Sequence, residues 1–374
     1  MARRSRTRIA TQRKKRQGRG KVVLAALTLV LLTVYGNLDT LVGWYQKFAG
    51  KNVAIGSQVF SGLSPSENRA NRDDDEGTTI LEKDESWTDF KSLLPPQTEP
   101  AAPADQQRPE GALPIETVNL STKKGIPYKS GAINNKTEMS AEQVLSALSD
   151  DADFKIQLGA SEPQVLIVHT HATESYENYD LGYYDPGAAS RNEDNAQNMT
   201  RVGEALVAQL NAAGICAIQD KTQHDNPQYT GAYDRSRITV QEYLKKYPSI
   251  KVVIDVHRDA IQYSDGTRAK PTAQIEGKNA AQIMMIVGCN TSDNELPGYA
   301  KNLRFAADLQ DVLETSFPDL TRPILFDYRF YNQDLTPANI LIEVGGHANT
   351  LGEAVYSGEL IGRGLAQYLK ARAG

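Results

Sequence analysis

The sequence predicts an α/β domain over residues 141–374, a mostly parallel sheet flanked by helices, behind an N-terminal transmembrane anchor and a disordered tether. Two observations predict the domain. Short runs of apolar, often β-branched residues alternate with longer amphipathic stretches, the pattern of strand–helix units. The short runs are continuous rather than alternating, which suits strands buried on both faces of a parallel sheet. A third observation separates this region from what precedes it: composition changes sharply near residue 140.

The chain has 374 residues and a net charge of −5, but the charge is uneven. Residues 1–21 hold ten Lys or Arg and no acid, and the remainder carries 31 positive against 46 negative charges. An acidic body lacks the clustered basic groups that phosphate neutralisation needs, which excludes general nucleic-acid binding. Residues 1–21 read instead as a cytoplasmic tail that orients the chain and contacts anionic lipid. Val22–Leu38 is uncharged and about as short as a membrane span can be, roughly 17 residues. A signal peptide shares this layout, yet no small-residue cleavage pattern follows at Tyr35–Thr40. The expectation is a single-pass anchor in the cell membrane with everything beyond it extracytoplasmic. Residues 39–140 contain the acidic run Asp73–Glu76 and Pro95, Pro96, Pro100, Pro103, Pro109 and Pro114. Such a segment cannot bury enough apolar surface to offset its ordering entropy, so it reads as a mostly disordered tether.

Within the domain, Val165–Val168 is a predicted strand, residues 195–213 a helix stopped by Gly214, and Ile215–Gln219 a strand. Arg235–Lys246 follows as a helix, then strands at 251–256 and 282–288 and a helix at Tyr299–Ser316. A strand at Asn339–Val344 and a closing helix at 351–371 complete it. Cys216 and Cys289 are too few for a disulfide framework or a cysteine zinc site, and each lies in an apolar run that suits a buried thiol. Any metal must be held by His and carboxylate.

Of the five histidines, His169, His171, His257 and His347 fall within three residues of the C-terminal end of a predicted strand. In a parallel sheet those ends share one edge, where ligand sites form. Glu174 follows His171 by three residues, and Glu343 ends the strand NILIEV before Gly345 and Gly346. Imidazole and carboxylate donors suit zinc, whose catalytic sites use about three protein ligands and activate water near neutral pH. A nearby carboxylate then acts as general base, a role that fits Glu343. His169 and His171 compete for the first ligand position. A strand-end histidine alone is more often a structural hydrogen-bonder; the grouping of three with two carboxylates is what favours a metal. His224, in QHDNPQY, reads as a surface residue, and His347 as either a site residue or a cap of the last helix. The Tyr-rich stretch SYENYDLGYYD reads as a loop over the cleft. No G-x-S-x-G elbow and no phosphate-binding Gly loop are present.

VLIVHTHATESY, RVGEALVAQL, HDNPQYTGAYDRS, VVIDVHRDA and LIEVGGHANT together resemble the stage II sporulation protein P family, in the same order over residues 160–370. That resemblance implies an amidase-like fold. It also implies a zinc-dependent N-acetylmuramoyl-L-alanine amidase that further cuts peptide cross-links, a peptidoglycan hydrolase of spore engulfment. Its implied partners are peptidoglycan, the membrane, and stage II sporulation proteins D and M. On this resemblance His171 (or His169) and His257 match the zinc histidines and Glu343 the catalytic glutamate. The amidases' glutamate ligand falls on Asn195, which leaves Glu174, Glu193 and Asp194 as substitutes, Glu174 first. A non-cutting wall-binding relative, or a different metallohydrolase, are the alternatives.

Overall fold

The computed structural model describes residues 107–121, 124–151, 153–291 and 295–374. The expected basic tail, the anchor at 22–38 and the tether up to residue 106 lie outside the described residues. Among the described residues no helix is long and apolar enough to cross a membrane.

Among the described residues, twelve strands and five helices follow one another, starting with β1 (Leu113–Val118), β2 (Ile126–Tyr128), β3 (Gly131–Asn135), α1 (Ala141–Ala147), β4 (Val165–Val168) and β5 (Tyr183–Tyr184). Then come α2 (Thr200–Ala212), β6 (Ala217–Gln219), α3 (Ala232–Lys246), β7 (Val252–Asp259), β8 (Arg268–Ile275) and β9 (Lys278–Ala281). The chain closes with β10 (Ile283–Gly288), α4 (Tyr299–Ser316), β11 (Ile324–Asp327), β12 (Ala338–Gly346) and α5 (Leu351–Lys370). An eight-stranded sheet runs β2-β3-β11-β10-β12-β7-β4-β6, and a four-stranded sheet runs β5-β1-β8-β9.

The larger sheet is mixed. β12, β7, β4 and β6 are mutually parallel, but β10 pairs with β12 antiparallel, and β11 and β3 follow the direction of β10. The antiparallel β8–β9 hairpin of the smaller sheet causes this reversal, because it returns the chain into β10 without a crossover helix. The strands that end in His169, His257 and Glu343 all belong to the parallel half, so their C-terminal ends do share one edge.

The folded body also starts before the expected boundary at 141. β1 pairs with β8 and β3 with β11, partners far along the chain, so residues 113–135 are ordered by long-range pairing that their weak local pattern does not announce. α1 begins with a Ser140–Gln143 capping box. α2 starts at Thr200 rather than 195, because the side chains of Asn195 and Asn198 are spent in a turn: Asn198 donates to Asn195 Oδ1, and its Oδ1 accepts from the Thr200 amide.

Alternation along the parallel strands sorts the two faces. Val165, Ile167, Val252, Ile254, Val256, Ile340, Ile342 and Val344 enter the main core, into which α2, α4 and α5 also pack. Leu166, Val168 and Val253 face the other way and pack with Val240 of α3. Residues 255, 257, 341 and 343 therefore share the α3 face. On the main-core side, α5 lies tight against α2. A Cβ on Gly358 would sit 2.5 Å from the Val202 carbonyl oxygen, and one on Gly362 2.7 Å from that of Leu206. Gly358→Ala is accordingly expected to destabilise the protein by about 1–3 kcal/mol in urea unfolding, since a backbone oxygen cannot yield as a side chain can. A more stable variant, as helix propensity alone would give, contradicts this packing.

Candidate active site

Parallel pairing of β12 with β7 puts Glu343 in register with His257, and pairing of β7 with β4 puts Asp255 in register with Val168. The chain leaving β4 then turns through His171 and Glu174 above the same edge. The His171 and His257 rings meet edge to face at 5.2 Å, and Glu174 Oε2 lies 3.7 Å from His257 Nδ1. His171, Glu174, His257 and Glu343 are thus brought together, and the first three are buried.

Asp255, two residues before His257 and on the same strand face, was not singled out by sequence. Its Oδ1 lies 2.9 Å from His257 Nε2, out of line for a hydrogen bond, while the carboxylate accepts from the Thr170 amide and hydroxyl at 2.9 and 2.6 Å. Burial opposes both charges here, but mutual attraction outweighs it. Asp255 is held down at about 2 by His257 and Thr170; His257 is held up at about 9 by Asp255, then Glu174 and Glu343. Glu343 is the opposite case. Burial, and next the Asp259 carboxylate, push it up to about 8 against the pull of His257, so it keeps its proton at neutral pH unless a further positive charge arrives.

Tyr229 stacks on His171 at 4.4 Å, and Tyr233 lies parallel to the His257 ring at 6.2 Å. Tyr331 tilts against Tyr233 at 5.1 Å. Burial, then His257 and Arg191, drive the His171 pKa well down, leaving a neutral imidazole suited to donate a lone pair. Arg258 donates its backbone N–H to Glu174 Oε2 at 3.1 Å and its side chain to the Ser175 and Ser190 carbonyls.

His169 is not brought into this cluster. Its Nδ1 is 3.0 Å from the Val256 carbonyl and its Nε2 2.8 Å from Gln219 Nε2, and burial depresses its pKa to about 4. Both ring nitrogens are spent inside the protein, and the ring is seated against Gly203 of α2, where a Cβ would come within 2.5 Å of Nε2. His171 is therefore the residue of the pair that faces the site. His224 is buried rather than on the surface, with Nδ1 at 3.1 Å from the His169 carbonyl and Nε2 at 2.9 Å from Thr239. His347 does not cap α5, whose capping box is Thr350 with Glu353. Its amide donates to the Asp259 carbonyl, its Nδ1 is buried without a partner, and burial with Arg258 and Arg268 lowers its pKa to about 2. Tyr176, expected in a loop over the cleft, is a buried residue whose hydroxyl donates to the Val344 carbonyl at 2.9 Å. Glu193 and Asp194 are exposed, and Asn195 is engaged with Asn198 and Gln223, which leaves Glu174 as the carboxylate among the four that lies beside the histidines. Both cysteines are free: Cys289 is buried and Cys216 half-buried.

Whether these residues suit a metal is a question of donors and of placement. Buried atoms without a hydrogen-bond partner include His171 Nδ1, His257 Nε2 and Glu343 Oε2, and two imidazoles with a carboxylate are zinc-type donors. Among the described residues, however, no group of three or more His, Cys, Asp or Glu is arranged to hold a metal ion as it stands. The donor chemistry fits a zinc-type cation; closing it around one requires side-chain rotation.

Residues 82–366 match the sequence profile of the stage II sporulation protein P family. The chain belongs to this family. Stage II sporulation protein P of Bacillus subtilis strain 168 is 33% identical to it over 218 residues, 55% of this chain and 51% of that protein. The match thus spans about half the length of that relative. Among solved structures, the N-acetylmuramoyl-L-alanine amidase AmiC2 of Nostoc punctiforme aligns at 12% identity with a TM-score of 0.32, covering 56% of this chain and 99% of that one. The N-acetylmuramoyl-L-alanine amidase of Clostridium difficile 630 aligns at 14% and 0.34, covering 56% and 97%. The CwlD amidase of Clostridioides difficile, in complex with the GerS lipoprotein, aligns at 13% and 0.33, covering 56% and 99%. Scores of this size establish no shared fold, and the α/β assignment rests on the strand order.

In metal-free protein the Asp255–His257 pair adds stability in full between the unfolded pKa values of 3.8 and 6.5; it fades as pH falls through about 2 or rises through about 9. Asp255→Asn removes the largest upward pull on His257, and burial should then carry its pKa below 6.5. NMR titration of the imidazole in chelator-treated protein measures this. A His257 still titrating near 9 in the variant contradicts the pairing.

Proposed function

We propose that this chain is a zinc-dependent peptidoglycan hydrolase that cleaves the N-acetylmuramoyl-L-alanine amide bond, and also peptide cross-links, during spore engulfment. The single observation that carries the reading is the buried edge where Glu343 stands in register with His257 while His171 and Glu174 close over it. Membership of the stage II sporulation protein P family supports the sporulation setting. The proposed zinc ligands are His171, Glu174 and His257, and the proposed general base is Glu343. Anchoring through residues 22–38, an extracytoplasmic domain, and cooperation with stage II sporulation proteins D and M belong to the same proposal.

Zinc, when bound, supplies Lewis-acid polarisation of the scissile carbonyl and of the attacking water. The rest of the chemistry falls to the chain. Glu343, pushed up to about 8 without a cation, ionises when positive charge is close by. Its carboxylate then takes the proton of the attacking water and passes it to the amide nitrogen as the C–N bond breaks. The Tyr229 and Tyr233 rings lie against the histidines, with Tyr331 behind Tyr233, and reduce water access on that side. Arg258 steadies Glu174 through its backbone N–H, and the Asp255 carboxylate, 2.9 Å from His257 Nε2, holds that imidazole by charge attraction.

A second reading, a wall-binding relative that does not cut, is favoured by one observation: the donors are not gathered as they stand. Digestion of purified peptidoglycan with and without a chelator, read by mass spectrometry, separates the two. Stem peptides freed from glycan in a chelator-sensitive way are expected, with cross-link fragments beside them. Binding to the wall without products, in protein that takes up no zinc, favours the second reading. Glu343→Gln is expected to keep its metal and lose about 10²–10⁴-fold in rate; loss of metal from that variant would make Glu343 a ligand instead of the base.

A further inference from the structure

We propose that Asp225, acting through Thr173 and Arg191, is a positioning residue for the ligand turn, holding His171 and Glu174 where a divalent cation can draw them together. The inference rests on the zinc reading above. Asp225 lies in the segment HDNPQY, which carries no step of the proposed chemistry. Its side chain is fully buried, a costly place for a carboxylate unless its partners repay the desolvation.

Those partners converge on the turn. Asp225 Oδ2 accepts from the Thr173 hydroxyl at 2.5 Å and from Arg191 Nη1 at 2.8 Å, and the Thr173 amide lies at 3.3 Å. Thr173 sits between His171 and Glu174, inside a turn closed by the Glu174 amide on the His171 carbonyl at 3.1 Å. Fixing Thr173 by both hydroxyl and amide therefore sets the directions in which both candidate ligands leave the backbone. Arg191 carries the same hold further. Its Nη2 is 4.0 Å from Glu174 Oε1, and its guanidinium lies 4.5 Å over the Tyr229 ring that stacks on His171. Asp225 Oδ2 itself stands 4.0 Å from His171 Nδ1, too far for a hydrogen bond, and that nitrogen is buried without a partner. One carboxylate thus reaches both ligands by separate routes and touches neither.

A purely structural tie between the 224–233 segment and the end of β4 would stabilise the fold without tuning the metal. The two roles part in a measurement of zinc affinity on the full chain, with Asp225→Asn and Arg191→Met compared with Glu353→Gln. Glu353 is a fully buried partner of Lys270, Asn349 and the α5 cap outside the site, so its variant reports loss of a buried carboxylate's charge away from the candidate ligands. Chelator competition is expected to give Asp225→Asn an affinity about 10–100-fold below that of the unchanged chain. Arg191→Met should fall in the same direction, and Glu353→Gln should stay within about twofold of the unchanged chain, a small difference beside the 10–100-fold expected of the ligand-turn variant. Cobalt in place of zinc should show an altered visible spectrum in the two site variants. Arg191 is partly exposed, so its variant carries the test if Asp225→Asn does not fold. Unchanged affinity and spectrum in the site variants, or a loss matched by Glu353→Gln, overturns the inference. An unchanged chain that takes up no zinc overturns the metal reading itself, and this inference with it.

Discussion

Parallel pairing between β7 and β12 places Glu343 beside His257, on the sheet face that the main core does not claim. The rest of the site depends on that register. A slip of one residue by either strand would turn its own member of the pair, His257 or Glu343, into the packed core among Ile254, Val256, Ile342 and Val344, and part it from the other. Burial then does electrostatic work: the same low-dielectric edge that binds His257⁺ to Asp255 drives a proton onto Glu343. The carboxylates of Glu174, Asp255 and Glu343 and the unpartnered His171 Nδ1 share the donor chemistry of a divalent-cation site.

Around this edge the protein spends several polar residues on holding others still. His169 is tied to the Val256 carbonyl and Gln219, and His224 to Thr239 and the His169 carbonyl, so two imidazoles beside the site support it without facing it. Thr170 is fastened to Asp255 and Ser236, and Thr173 to Asp225. The segment HTHATE therefore divides into anchors at His169, Thr170 and Thr173 and cluster-facing residues at His171 and Glu174. β4 ends at Val168 and the chain turns, so His169 and His171, two residues apart, do not share a strand face.

Much of the architecture was legible because it is local. The α4 boundaries and the strand β4 follow directly from periodicity and β-branched runs, and the strand-end histidines foretold the shared edge. What escaped is non-local. β1, β3 and β8 have little apolar pattern of their own and gain order from partners far along the chain, as Ile133 does from Ile324, so the domain seemed to begin near residue 141. The reversal at β10 is set by the tight β8–β9 hairpin, which strand propensity does not distinguish from another crossover. At the site, His171, Glu174, His257 and Glu343 were readable from residue type and position. Asp255 was not, though its place two residues before His257 on one strand face was the available signal. Nor were Arg191 and Asp225, whose roles come from a loop closure that leaves no periodic trace.

X-ray absorption at the zinc edge on the full chain tests the central claim most directly. The account predicts one zinc per chain, held by two imidazoles and one carboxylate, with an imidazole lost in His171→Gln and the spectrum unchanged in His169→Gln. Absence of zinc, or a first shell that responds to His169 and not to His171, would contradict it.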